Sequence, residues 1–310
     1  MTLTVFFAAR SDLWADYRAP LANALQEAGV DARLTDHAPD PEEVDVIVYA
    51  PGALKDFSPF TRLRAVLNLW AGVERVLPVP GLQAPLCRMV DPAMTEGMTE
   101  FVVGHVLRHH LGIDLDLARQ TGVWQKRSVP IARERQVTVL GLGALGSSAG
   151  RALAALNFNV TGWSRTRREV EGLICLWGED GLARALSTAE ILVTLLPHTP
   201  ETESLLDTRR LSMLPRGAVI VNPGRGALID DDALLAALDA GHIAHATLDV
   251  FRTEPLPSDH PYWAHSRVTV TPHIAAETRP VTASRVIAEN VRRLATGAPL
   301  LHQVDRSRGY

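Results

Sequence analysis

Short apolar runs alternate with longer stretches in which apolar residues return every three or four positions, and the alternation continues along almost the whole chain. The first pattern is that of a buried strand and the second that of an amphipathic helix, so together they predict α/β layers around parallel sheets. In the first hundred residues the strand-like runs fall at 3–9, 44–50, 65–70 and 86–90. A helical stretch ending at Gly29 lies between the first two, with Pro20 obscuring its start. From Met98 a longer helical pattern begins, with Val102, Val106, His109 or His110, Ile113 and Leu117 at helical spacing. Runs at 136–140, 158–163, 190–196, 218–222, 246–251 and 267–271 then read as strands of a second unit. A periodic helix over 281–297 is expected to return the chain to the first unit. With no repeat, low-complexity tract or flexible linker, the units are expected to be joined by helices and to leave a ligand-binding cleft between them.

Composition narrows the picture only slightly. At 310 residues the chain can bury a large core in two domains, and its 46% hydrophobic and 21% charged residues are those of an ordinary globular protein. A net charge of -4 gives no reason to expect a nucleic-acid or anionic-membrane partner. No stretch is long and apolar enough to span a bilayer, and the apolar start lacks the basic region of a signal peptide, so it reads as a first strand. Two cysteines, Cys87 and Cys175, make neither a disulfide framework nor a metal cluster, which fits a reducing cytoplasm. His105 and His109 have i, i+4 spacing, but no acid and no third ligand accompany them, so no metal is expected.

The first chemical signal is Gln136-Val-Thr-Val-Leu140 followed by Gly141-Leu-Gly143-Ala144-Leu145-Gly146 and an alanine-rich helical pattern. Strand, Gly-x-Gly-x-x-Gly and helix in that order form a dinucleotide-binding turn. Gly141 permits the tight turn, Gly143 lets a pyrophosphate approach the backbone, and Gly146 lets the helix pack on the strand. An NAD-preferring site usually carries an acid at the end of the next strand, about 20 residues on. Here Ser164-Arg165-Thr166-Arg167-Arg168 follows Trp163, with no acid before Glu169. Hydroxyl and guanidinium groups suit a 2′-phosphate, so NADPH is expected over NADH.

Three ionisable residues lie just beyond successive strands of the second unit: Arg225 in Asn222-Pro-Gly-Arg-Gly226, Glu254 before Pro255, and His273 after Pro272. Singly, each is what an ordinary surface loop carries. Strand ends of a parallel sheet share one edge, so the three can converge, and the set suits hydride transfer to a keto acid. A guanidinium binds the carboxylate and polarises the carbonyl, an imidazole supplies the proton, and a carboxylate orients the imidazole and stabilises its charged form.

These motifs, with Leu196-Pro197-His-Thr-Pro-Glu-Thr202, Leu248-Asp249-Val-Phe251 and Thr271-Pro-His273, resemble the D-isomer-specific 2-hydroxyacid dehydrogenases. Trp163-Ser-Arg-Thr-Arg167, Thr278-Arg279-Pro280 and the terminal Gln303-Val-Asp-Arg-Ser-Arg-Gly-Tyr310 are similar to the glyoxylate/hydroxypyruvate reductase A branch. The resemblance covers nearly the whole chain. It implies two doubly wound α/β domains, a Rossmann nicotinamide domain over 98–281 inserted into a smaller flavodoxin-like substrate domain over 1–97 and 282–310. It implies catalysis by Arg225, Glu254 and His273, with Asp249, Leu196 and Pro197 beside the cofactor. It implies a substrate carboxylate held by the loop containing Trp70, Ala71 and Gly72, and Arg279 is a further candidate for that contact. A cytoplasmic homodimer with the helix near 98–119 at its interface is implied too. The expected reaction is NADPH-dependent reduction of glyoxylate and hydroxypyruvate. Alternatives are oxidation of another D-2-hydroxy acid such as phosphoglycerate, or a nucleotide-sensing binding protein without activity. The first would want further basic residues in the first domain; the lack of disordered interaction tails argues against the second. Against the family's Asn-x-Ala-Arg-Gly pattern, this chain has Gly224 before its arginine.

Overall fold

The structure, a computed structural model, describes residues 2–37 and 40–309. It divides into two compact units, one formed by 1–94 with 278–310 and the other by 95–277. The divisions fall three and four residues before the boundaries expected at 97/98 and 281/282.

The first unit opens with β1 (Leu3–Ala8), α1 (Ser11–Glu27), β2 (Ala32–Thr35), β3 (Val46–Tyr49), β4 (Ala65–Asn68) and β5 (Leu86–Cys87). All strand pairs are parallel and the order is β2-β1-β3-β4-β5. The β3 and β4 side chains are all buried, as the unbroken apolar runs require of strands covered on both faces. β2, at the sheet edge, alternates Ala32 and Leu34 with Arg33 and Thr35, none of them buried, and has no apolar run to announce it. The run at 86–90 pairs only through Cys87, because Arg88 and Met89 bond instead to His302 and Trp70 carbonyls.

α2 (Pro92–Leu111), which begins just before the division at 94/95, and α3 (Ile113–Ala118) replace the single helix expected from Met98 to Leu117. α2 starts earlier because the Asp91 carboxylate caps the Ala93 N–H at 3.2 Å. It stops where Gly112 turns left-handed at φ 67°, a conformation open to glycine without strain. The chain continues through β6 (Gln136–Leu140), α4 (Ala144–Ala155), β7 (Asn159–Ser164), β8 (Ile174–Trp177), α5 (Gly178–Thr188) and β9 (Ile191–Thr194). It then forms α6 (Thr208–Ser212), β10 (Ala218–Asn222), α7 (Asp231–Asp239), β11 (Ile243–Leu248) and β12 (Val268–Val270). β11 starts three residues before the run at 246–251, since His245 interrupts the apolar pattern yet is satisfied by Thr269 Oγ1 at 2.9 Å.

The second sheet is entirely parallel in the order β12-β11-β10-β9-β6-β7-β8. From β6 the strands are added first toward β8 and then, from β9, toward β12, so the strand order reverses between β6 and β9. This is the switch point at which doubly wound sheets open a crevice at their carboxyl ends. One core side packs Leu182, Leu186, Ile220 and Leu234, the other Val102, Val106, Leu153 and Val193. Finally α8 (Pro280–Thr296) returns to the first unit and packs on α1, with Pro280 in its first turn and Gly297 ending it at φ 72°.

Candidate active site

At the switch point each glycine of the turn meets a different constraint. A Cβ on Gly141, at φ 107°, would stand 2.5 Å from the Leu195 carbonyl oxygen. One on Gly146 would stand 1.8 Å from the Gly141 oxygen, so α4 reaches the strand only with glycine there. Gly143 faces open space within 4 Å and carries no capping side chain. The first-turn N–H groups of α4, those of Ala144, Leu145 and Gly146, are therefore free to meet an anion. Leu195 N–H donates to the Leu140 carbonyl at 2.7 Å, which brings Leu196 and Pro197 beside the same turn.

At the end of β7, Ser164 is buried and its hydroxyl donates to the Thr166 carbonyl at 2.8 Å, shaping the turn. Arg165 and Thr166 stand exposed. Arg167 pairs with Glu169 at 2.9 Å and lies 5.3 Å over the Trp177 ring, while Arg168 reaches the Leu142 carbonyl at 3.1 Å. The basic turn is thus tied to the glycine loop, and no acid stands at the end of β7 itself.

The three candidate catalytic residues follow β10, β11 and β12, which are adjacent in the sheet. Asn222 organises the first loop. Its Oδ1 accepts Thr194 Oγ1 at 2.6 Å and Gly224 N–H at 3.1 Å, and its Nδ2 donates to the Arg225 carbonyl at 3.0 Å. A Cβ on Gly224 would fall 2.7 Å from the Thr194 oxygen, so the departure from the family pattern lets this loop lie close on β9. A Cβ on Gly226 would fall 2.0 Å from the Phe251 carbonyl carbon, which presses the Arg225 loop against the Glu254 loop. Arg252 adds a bond to the Ile229 carbonyl at 2.8 Å and an ion pair with Glu203, which also meets His198 at 2.5 Å.

Glu254 Oε2 lies 2.8 Å from His273 Nδ1, and its Oε1 accepts the Phe251 N–H at 2.9 Å. A carboxylate can only accept here, so Nδ1 carries a proton, and Nε2 has no protein partner among the described residues. His273 itself adopts φ 54°. Asp249, fully buried, accounts for that conformation. Its carboxylate accepts Thr271 Oγ1 at 2.6 Å and the Ile274 and Ala275 N–H groups at 2.9 and 3.0 Å, while its carbonyl accepts the His273 N–H.

In the other unit, the loop holding Trp70, Ala71 and Gly72 follows β4. Trp70 is 40% exposed, so it is not a core residue. Thr278 Oγ1 donates to the Leu69 carbonyl at 3.1 Å, which sets the exposed Arg279 beside that loop. His105 and His109 do not face each other as ligands: His109 bonds Thr247 Oγ1 at 2.9 Å and His105 packs on Phe101. Among the described residues no group of three His, Cys, Asp or Glu is arranged to hold a metal ion. No described helix is long and apolar enough to cross a membrane. Sequence reasoning missed Asn222 as an organiser, Arg252 and Asn68, whose only linear signal is a polar residue at or just past a strand end.

Residues 103–275 match the family described as D-isomer specific 2-hydroxyacid dehydrogenase, NAD binding domain. A glyoxylate/hydroxypyruvate reductase A of Yersinia enterocolitica is 37% identical over 301 residues, covering 94% of this chain and 93% of the relative. A D-isomer specific 2-hydroxyacid dehydrogenase of Xanthobacter autotrophicus, solved with NADPH and MES, superposes with a TM-score of 0.92 at 42% identity over the full length of both chains. The NADPH-dependent glyoxylate/hydroxypyruvate reductase of Sinorhizobium meliloti, solved with NADP and sulfate, superposes at 0.86 with 32% identity, covering 100% of this chain and 99% of that one. With its two parallel sheets, its glycine turn and this likeness over its whole length, the chain belongs to the D-isomer specific 2-hydroxyacid dehydrogenase family, in the glyoxylate/hydroxypyruvate reductase A branch.

Proposed function

We propose that this protein is an NADPH-dependent reductase of small 2-keto acids, converting glyoxylate to glycolate and hydroxypyruvate to D-glycerate. The observation that carries the reading is the Glu254–His273 pair at 2.8 Å, on the same sheet whose switch point holds the glycine turn. The residues present fit the cofactor. The open face of Gly143 and the α4 N-terminus suit a pyrophosphate, and Arg165 and Thr166 at an acid-free strand end suit a 2′-phosphate. Relatives solved with NADPH and NADP support that choice. The unit 95–277 is then the nucleotide domain and the split unit the substrate domain.

When bound, NADPH supplies the hydride that adds to the substrate carbonyl carbon. Arg225 binds the carboxylate and the carbonyl oxygen through its planar fork and stabilises negative charge growing on that oxygen. His273 gives its Nε2 proton to the new alkoxide, while Glu254 accepts Nδ1–H and fixes the ring plane. Asp249 acts one step back, by holding the His273 loop. Trp70, Ala71, Gly72 and Arg279 contribute the remaining substrate contacts.

The same reading includes a homodimer in the cytoplasm. Its support lies in the last part of 98–119 and just beyond it, because α2 is mostly buried or half-buried up to His110. Exposed apolar side chains begin at Leu111 and continue through Ile113, Leu115, Leu117, Val123 and Trp124, the last 92% exposed. A patch of this kind marks a protein interface, and a second copy is the partner proposed.

The test is a panel of initial rates for NADPH and NADH oxidation with glyoxylate, hydroxypyruvate, pyruvate and phenylpyruvate. The highest kcat/KM is expected for glyoxylate or hydroxypyruvate with NADPH. No turnover of any 2-keto acid would overturn the reading, and a preference for NADH would overturn the role given to Arg165 and Thr166.

A further inference from the structure

The loop after β4 is shaped by one buried amide. Asn68, 1% exposed, donates from Nδ2 to both the Trp70 and the Gly72 carbonyls, each at 2.8 Å. The opposite assignment would set its oxygen against two carbonyl oxygens, so the network fixes which end is nitrogen. Its Oδ1 is buried without a partner. An unsatisfied buried acceptor destabilises a fold, so the amide does not serve the core as well as leucine of similar size would. Its two donated bonds are what distinguish it.

Those bonds have a directional consequence. A trans peptide is planar and sets the N–H of each residue opposite the carbonyl before it. With the Trp70 and Gly72 carbonyls drawn to Asn68, the N–H groups of Ala71 and Val73 turn away from it. Neither bonds to any protein group among the described residues. Further contacts pin the same loop, from Met89 N–H to the Trp70 carbonyl at 3.1 Å and from Thr278 Oγ1 to the Leu69 carbonyl. The result is a short backbone segment with two outward donors held by side chains behind it, suited to the two oxygens of a carboxylate.

We propose that Asn68 is a positioning residue for the substrate carboxylate: by clamping the Trp70 and Gly72 carbonyls it aims the Ala71 and Val73 N–H groups at that carboxylate. The proposal rests on the reading of the chain as a keto-acid reductase with this loop as its carboxylate site. Asn68 touches no reacting atom, so its loss weakens substrate binding more than the chemical step.

Asn68→Leu keeps the branched outline of the side chain with somewhat more bulk and removes both donors, and Asn68→Ser keeps one hydroxyl donor. For Asn68→Leu the glyoxylate KM is expected to rise about tenfold or more, with kcat within about threefold, NADPH affinity within about twofold and the thermal midpoint unchanged or higher. Asn68→Ser is expected to lie between Asn68→Leu and the wild type in KM. Wild-type turnover of glyoxylate with an unchanged KM in Asn68→Leu overturns the clamp and leaves the reductase reading standing. A parallel loss of NADPH affinity and thermal midpoint in both variants marks a structural role and also overturns it. A wild type that reduces no 2-keto acid overturns the reductase reading and the clamp together.

Discussion

His273 carries the sharpest conflict in the chain between local preference and placement. A non-glycine residue at positive φ costs about 1–3 kcal/mol, and such strain persists only where surroundings over-determine it. Asp249 does so with three hydrogen bonds from the segment 271–275 to its carboxylate. The family resemblance implies a place for Asp249 beside the nicotinamide; both its carboxylate oxygens are engaged by the histidine loop. His273→Ala should lower kcat for glyoxylate by about 10²- to 10⁴-fold while leaving NADPH affinity nearly unchanged, because proton donation acts only in the transition state. Steady-state rates together with a fluorescence titration of NADPH check this. Wild-type turnover in the variant would remove His273 from the chemistry.

At the scale of elements, the face of α2 set on β11 carries a second titratable group of histidines. His109 and His245 lie 5.0 Å apart ring to ring, bonded to Thr247 and Thr269. Burial pushes His109 down to about 3, with His245 and Arg108 adding repulsion, and pushes His245 down to about 4, while Asp114 opposes both shifts. Both are therefore neutral at pH 7. An unfolded chain takes up protons at these sites near 6.5 while the folded one does not, so their contribution to stability is complete above that value. It is lost as pH falls through the interval from 6.5 toward 4 and 3. The thermal midpoint should drop over that interval, and His109→Gln, which can still bond Thr247 but cannot charge, should drop less steeply. Identical slopes for variant and wild type would show that His109 is not responsible. The periodicity of α2 was readable in the sequence. Its end was not, because the left-handed turn at Gly112 is a single residue inside a continuing apolar pattern.

For the whole molecule, two parallel sheets with their own cores follow from the alternation of apolar runs and helical periods, and α8 closes the split unit on α1. Among the described residues, several exposed apolar side chains fall together along the segment from Leu111 to Trp124. Arg127 holds that segment in shape, with an ion pair to Asp116 at 2.6 Å and bonds to the Leu111 and Gly112 carbonyls. An ordered apolar surface is costly to leave in water, roughly 25 cal/mol for each Å². Sedimentation velocity is expected to find a dimer, and Leu115→Glu with Leu117→Glu is expected to shift it to monomer without altering the fold seen by circular dichroism. A wild-type monomer at micromolar concentration would overturn the dimer and leave the chemistry of each chain untouched.

Features carried by neighbours along the chain were determined by the sequence alone. Strand, glycine spacing and helix at 136–157 need only local order, and the placement of Arg225, Glu254 and His273 after three adjacent strands was legible because parallel strands put consecutive loops on one edge. The same locality made β3, β4 and α8 readable within a residue or a few. The tertiary structure decided whatever depends on partners far apart in sequence. The short edge strand β2 forms because β1 pairs with it. Ser164, read as a phosphate contact, is buried with its hydroxyl shaping the turn. Asn222 and Thr194 meet across 28 positions, Asp249 governs a histidine 24 residues on, and Thr278 reaches Leu69 across 209. Such pairings form only after folding has closed long loops, so no local period records them.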